Sequence, residues 1–279
     1  MALNTASSIL KKYWGYDSFR PLQGAIVQSV LDKKDTVVLL PTGGGKSLCF
    51  QVPALILDGL CIVISPLIAL MKDQVENLQK RGIKAAYINS EHSSTKQIEI
   101  LDNCEFGGVK LLYIAPERIQ SEAFQLRIRQ LNISLIAIDE AHCISQWGYD
   151  FRPSYLKINT IREICPTVPI IALTASATNE VLKDIQVRLA LNTPAVFKGS
   201  FARPNLVYVN RETETKKEAI LEIIKRVPGS GIVYVRNRKE TQNLAFWLRE
   251  QGISADHYHA GLGMSDRKNK QDFWTNNKT

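Results

Sequence analysis

The amino-acid sequence predicts an α/β fold in two units, the second smaller than the first, on three observations. Unbroken apolar runs of about four to six residues recur along the chain. Stretches of helical length and periodicity separate these runs, and the first run leads into a glycine-rich turn followed by a helix-like segment. Continuous apolar runs, rather than alternating ones, mark strands covered on both faces. Strands alternating with helices then pack as one parallel, doubly wound sheet.

Taken in order, the strand candidates of the first unit are residues 36–40, 61–64, 85–89, 110–114, 135–138 and 170–173. Helices are expected at 67–81 and 178–189, the second with Thr178 or Asn179 placed to cap its first turn. Residues 198–205 contain Gly199 and Pro204 and read as a linker, so the units are expected at 1–199 and 200–279. In the second unit, strands at 206–210, 231–235 and 254–259 should alternate with helices near 216–226, 238–251 and 265–275. Three strands make a small sheet, and one ending on a helix is expected to leave an apolar edge open.

The bulk numbers exclude several classes. With 45% hydrophobic and 22% charged residues over 279 positions, the composition is that of an ordinary globular protein. No apolar run approaches the roughly 18 residues of a membrane helix, and the polar start does not read as a signal peptide. A soluble, intracellular protein with no membrane partner is expected. The cysteines Cys49, Cys61, Cys104, Cys143 and Cys165 are odd in number and show no C-x-x-C spacing, which points to buried thiols. Net charge is +8 and unevenly spread: residues 201–279 carry 14 basic and 9 acidic side chains, residues 1–200 carry 21 and 18. A polyanionic partner is favoured.

The chemistry sits after two of the strands. Pro41, Thr42, Gly43, Gly44, Gly45, Lys46 and Ser47 follow the first strand and open a helix. Glycines there let backbone N–H groups turn inward on a phosphate chain, and the helix N-terminus adds a positive field. Lys46 can reach the β and γ phosphates of a nucleotide, and the Ser47 hydroxyl can ligate Mg²⁺. Leu40 stands where the strict phosphate-loop pattern has its first glycine. Farther along, Asp139 and Glu140 directly follow the strand at 135–138, at a parallel-sheet edge where ligands bind. Asp139 is placed to hold Mg²⁺, and Glu140 to orient or deprotonate an attacking water.

The order of these pieces, with Asp139-Glu-Ala-His142 as the second, resembles superfamily 2 helicases. Other stretches resemble the RecQ family. The segment from Tyr13 to Gln23 is similar to that family's adenine-recognition segment. The resemblance implies that Tyr16 stacks on adenine, Arg20 supports it, and Gln23 reads its edges. The segment from Cys143 to Pro153 resembles the aromatic-rich loop that senses single-stranded DNA. There Trp147 and Phe151 offer ring faces to bases and Arg152 meets phosphate or stacks, with His142 and Gln146 joining in binding and coupling. Tyr149 stands where relatives commonly have histidine.

Residues 63–74, 113–118 and 172–178 resemble further helicase motifs suited to backbone contacts, with Ser176 in place of the usual threonine. Residues 201–206 and 231–241 resemble the entry to the second motor domain and its first motif. The resemblance thus implies two RecA-like units, ATP and Mg²⁺ as cofactors, and single-stranded and partially duplex DNA as partners. It places the protein in the cytoplasm, associated with the nucleoid, if bacterial and in the nucleus if eukaryotic. The family's motifs V and VI would follow the region 265–275, so the second unit is expected to be incomplete, and unwinding by this chain poor. A nucleotide-dependent binding module and an RNA helicase are the alternative readings.

Overall fold

The structure, a computed structural model, describes residues 2–89, 92–147, 150–202 and 205–276, the side chains of Ala2 and Met264 excepted. The chain divides into two compact units, Met1–Arg203 and Pro204–Thr279. The expectation placed on Tyr149 lies outside the described residues.

In the first unit, helices α1 (Ala2–Trp14) and α2 (Gln23–Leu31) precede strand β1 (Thr36–Leu39). The chain then alternates: α3 (Leu48–Ile56), β2 (Leu60–Ile64), α4 (Ile68–Lys80), β3 (Ala85–Ile88), α5 (Ser94–Glu105), β4 (Leu111–Ile114), α6 (Glu122–Ile128), β5 (Ile133–Ile138), α7 (Thr160–Ile164), β6 (Ile170–Thr174), α8 (Asn179–Arg188) and β7 (Ala195–Lys198). All seven strands are parallel, in the order β3-β4-β2-β5-β6-β1-β7. Six of them fall where unbroken apolar runs predict them. β7 was not foreseen: its residues alternate in exposure, and its sequence borders the expected linker.

Both faces of the sheet are buried, as continuous apolar strands require. Val37, Leu39, Ile62, Ile64, Ile136 and Ile138 enter one core with residues of α5 and α8. Their neighbours Val38, Leu40, Cys61, Val63, Leu135 and Ala137 enter the other, against α3 and α4. Two local caps begin helices as expected of Ser and Thr: Thr178 accepts the N–H of Val181, and Ser93 that of Lys96. The five cysteines are buried, free thiols.

Asp35 fastens the strand starts together. Its carboxylate accepts the Ile170 N–H at 2.8 Å and the Asn192 N–H at 2.8 Å, and pairs with Arg162 at 2.7 Å. Asp35→Ala strands a largely buried guanidinium and two backbone donors. It is expected to cost about 3 kcal/mol of stability, as removal of one partner from a buried ion pair does. Urea denaturation of the two proteins checks this, and a loss below about 1 kcal/mol would contradict the role.

In the second unit, α9 (Lys216–Arg226), α10 (Arg238–Glu250) and α11 (Met264–Thr275) form where the helical periodicity predicts them. The three strands expected there do not: residues 206–210, 231–235 and 254–259 carry no ladder among the described residues. Val207, Tyr208 and Tyr234 are 85%, 88% and 89% exposed. An apolar run favours extended backbone locally, but a parallel strand also needs a paired neighbour and a layer over each face. Here α9 buries none of its residues and α10 buries only Leu244, Ala245 and Leu248.

Candidate functional site

In the sheet order, only β6 separates β1 from β5. The loop that follows β1 and the acids that follow β5 therefore emerge about 10 Å apart, two inter-strand spacings, at the same sheet edge. Both open into one cleft of about 930 Å³, lined by Tyr16, Arg20, Gln23, Thr42, Gly43, Gly45, Lys46, Ser47, Asp139 and Glu140. Trp14, Gln51, a face of α4 bearing Leu70, Gln74 and Asn77, and Arg81 just after that helix also line the wall. Leu70 and Gln74 fall in the stretch 63–74, expected to make backbone contacts and not to line this cleft; Asn77 and Arg81 were not foreseen, because a helix face gives no motif. Gln51 joins the wall to the core by donating to Gln74 Oε1 and Tyr113 Oη, both at 3.0 Å.

The glycine loop is held from the N-terminal side. Arg20 donates to the Gly43 carbonyl at 2.6 Å, and Gln23 Nε2 reaches the Gly44 and Gly45 carbonyls at 3.2 Å. Gly43 and Gly45 sit at φ of 76° and 75°, a region where only glycine is unstrained. At Gly45 a Cβ would lie 2.3 Å from Gln23 Nε2, so a side chain there would push the Gln23 amide off the loop as well as strain the backbone.

These contacts bear on two expectations. Gln23 is buried and its amide is already engaged, its Oε1 accepting the Arg20 N–H at 2.9 Å. A buried amide satisfies its polar atoms within the protein, so reading a base requires it to exchange those partners. The Gly44 N–H is likewise spent on the Pro41 carbonyl at 2.9 Å and does not face inward in this conformation. Tyr16, by contrast, lines the cleft and is 51% exposed.

At the acidic edge, β5 ends with the Asp139 N–H donating to the Ile64 carbonyl of β2 at 2.9 Å. Tyr155, fully buried, donates its hydroxyl to the Asp139 carbonyl at 2.9 Å, and Asp139 Oδ1 accepts the Glu140 N–H at 3.0 Å. Glu140 occupies the left-handed region, at φ 47°, which costs a non-glycine residue about 1 kcal/mol. Burial, and then the neighbouring Glu140 carboxylate, push Asp139 up to about 6. Glu140 is held below the usual carboxylate range, chiefly by its bond to His142. Lys46 favours the ionised form of both acids.

His142 is largely buried, with Nδ1 2.9 Å from Thr174 Oγ1 and 3.3 Å from Glu140 Oε2. Its contacts to Cys143 and then Glu140 raise it to about 9, so it is a cation at neutral pH. Thr174 ends β6 and also accepts the Ser176 N–H at 3.0 Å. A hydrogen-bonded path thus runs from Glu140 through His142 to the end of β6. Tyr155 and Thr174 gain their roles through packing, which spacing in the sequence does not reveal.

The aromatic segment is divided in its exposure. Trp147 is 79% exposed and Gln146 is exposed, whereas Phe151 is half-buried. Arg152 is not free to meet a phosphate. Its Nε and Nη2 reach Asp150 Oδ2 at 3.2 and 3.0 Å, and its Nη1 donates to the Pro66 carbonyl at 2.8 Å. It ties this segment to the turn after β2. None of Trp147, Phe151 or Arg152 lines the cleft.

Residues 20–185, which hold the loop, the acids and the aromatic segment, match the DEAD/DEAH box helicase family. The chain belongs to that family. This helicase chain is 44% identical over 96% of its length to a protein of Pasteurella multocida named ATP-dependent DNA helicase RecQ, of which it covers 42%. It is also 44% identical, over 97% of its length, to a putative ATP-dependent RNA helicase of Acanthamoeba polyphaga mimivirus, of which it covers 50%. The chain therefore spans about half the length of these relatives. Among solved structures, the helicase MrfA bound to DNA matches with a TM-score of 0.71 at 19% identity, covering 96% of this chain and 42% of that one. This likeness supports the helicase fold.

Proposed function

We propose that this chain carries the nucleotide-hydrolysing part of a RecQ-type, DNA-stimulated 3′-to-5′ DNA helicase acting in repair and recombination within the cell. Residues 1–199 are its first RecA-like motor domain and residues 200–279 part of the second. The observation that carries the reading is one cleft in which Tyr16, Gln23, Lys46, Ser47, Asp139 and Glu140 meet.

The donor set suits Mg²⁺–ATP. Asp139 is an acid pushed up by burial and by a second carboxylate, with no salt bridge among the described residues, and a divalent cation relieves that situation. Ser47 and Asp139 would hold the metal, which neutralises charge on the phosphates when bound. Lys46 and the loop N–H groups hold the phosphate chain, Tyr16 stacks on the base, Arg20 supports it and seats the loop, and Gln23 reads the base after exchanging partners. Glu140 orients the attacking water and accepts its proton. While His142 holds Glu140 in an ion pair, that carboxylate is a weak base, so basal turnover is slow. Strand contact at Gln146, Trp147 and Phe151 reaches Glu140 through the turn bearing Cys143 and His142, and so links nucleic acid to hydrolysis.

Phosphate release measured with and without single-stranded DNA tests the proposal. Stimulation by DNA with poor strand separation is expected. ATP-gated DNA binding without turnover would favour a binding module, and preferential stimulation by RNA would favour the activity named for the mimivirus relative. Trp147→Ala is expected to weaken single-strand binding by about 1–3 kcal/mol, the worth of one stacked base. It should flatten DNA stimulation and leave basal turnover in place. An undiminished stimulation curve would show that the ring only packs.

A further inference from the structure

The turn after β5 brings together three groups that do not line the nucleotide cleft. His142 Nε2 lies 3.8 Å from Cys143 Sγ, and Cys143 Sγ lies 3.9 Å from Asp150 Oδ2. One ring nitrogen, the sulfur and one carboxylate oxygen are all within 4.8 Å of one another. Imidazole, thiolate and carboxylate together suit a borderline-soft divalent ion better than Mg²⁺, which prefers oxygen alone. In a tetrahedral zinc site with Zn–S of about 2.3 Å and Zn–N of about 2.0 Å, donor atoms stand about 3.5 Å apart. Closing the observed triangle to that size needs movements of about 1 Å or less.

The imidazole is already braced from behind. Its Nδ1 faces Thr174 Oγ1 at 2.9 Å and Glu140 Oε2 at 3.3 Å. An oxygen partner on the far ring nitrogen is what fixes the orientation of a metal-ligating histidine and strengthens it as a donor. Access is provided on the other side, where the Asp150 side chain is 58% exposed.

We propose that His142, Cys143 and Asp150 form a site for zinc or a similar divalent ion, with a fourth position open to water. The ion takes the place of the protons on Nε2 and Sγ, which are released on binding. It draws Asp150 away from Arg152, whose guanidinium shares the same Oδ2. With Asp150 fastened to the turn that carries His142, DNA-stimulated hydrolysis slows. That consequence rests on the functional reading above; the binding itself does not.

Cobalt(II) is the probe, titrated into chelator-treated protein with Mg²⁺ in excess and no nucleotide. Intense visible bands, with a thiolate-to-cobalt charge-transfer band that zinc abolishes, are expected. Cys143→Ser should remove the charge-transfer band. Asp150→Asn, a surface change, should weaken cobalt binding by roughly tenfold or more while the far-ultraviolet circular dichroism is unchanged. Absence of a charge-transfer band, or one that survives Cys143→Ser, overturns the site. So does cobalt affinity unchanged in Asp150→Asn. These spectra do not depend on turnover, so failure of the site and failure of the helicase reading are separable.

Discussion

Lys46→Ala is expected to abolish measurable ATP turnover and to weaken nucleotide binding. The Lys46 ammonium acts on both acids across the cleft, since it favours the ionised forms of Asp139 and Glu140. It lines the same cleft as the two carboxylates, where the terminal phosphates would lie. Removing one preorganised donor from developing charge costs about 10²–10³ in rate, or about 3–4 kcal/mol. The loss should be nearly complete, because alanine removes the charge and Arg20, a second cation lining the cleft, is already bonded to the Gly43 carbonyl. Steady-state phosphate release and binding of a fluorescent ATP analogue check the two halves separately. Hydrolysis at the wild-type rate would show that the nucleotide does not use this loop.

Glu140→Gln should separate binding from chemistry. The amide is isosteric and can still hydrogen-bond, but it cannot accept a proton, so turnover should fall by about 10²–10⁴-fold while nucleotide affinity holds. The substitution has a second effect. It removes the carboxylate paired with His142 at 3.3 Å, so the histidine loses one of the contacts that keep it cationic. A single-turnover measurement with bound ATP is the decisive reading. Hydrolysis within a few-fold of wild type would assign the water to another group.

Much of the fold was legible because its signals are local. β2 and β5 are continuous apolar runs, and burial on both faces follows from that pattern alone. The Pro41 to Ser47 loop and the Asp139–Glu140 pair were legible for a similar reason: each is a short motif placed directly after a strand. β7 escaped because its half-exposed residues lack the continuous run. The second unit's strands were over-read, since an extended apolar segment such as residues 231–235 states a backbone preference without supplying a neighbour to pair with.

Within the site, residue identities were foreseen better than residue partners. Arg152 looked like a phosphate ligand, yet it is committed to Asp150 and to the Pro66 carbonyl, a group 86 positions away in sequence. Gln23 was foreseen as a reader of the base; that its amide closes on the loop carbonyls and must exchange them first was not. Tyr155 carried no signal, since its contact with the Asp139 carbonyl exists only once the 3-10 turn bearing it packs under β5.

The sequence by itself determined the strand–helix alternation of the first unit, the flexible phosphate-type loop and the acids at a strand end, because apolar periodicity and glycine content act over a few residues. Only the tertiary structure decided that β6 stands between the two motifs, that Glu140 takes a left-handed backbone and pairs with His142, and that Cys143 faces Asp150. Those outcomes depend on which distant strands become neighbours, and that is fixed by packing both faces of one sheet at once.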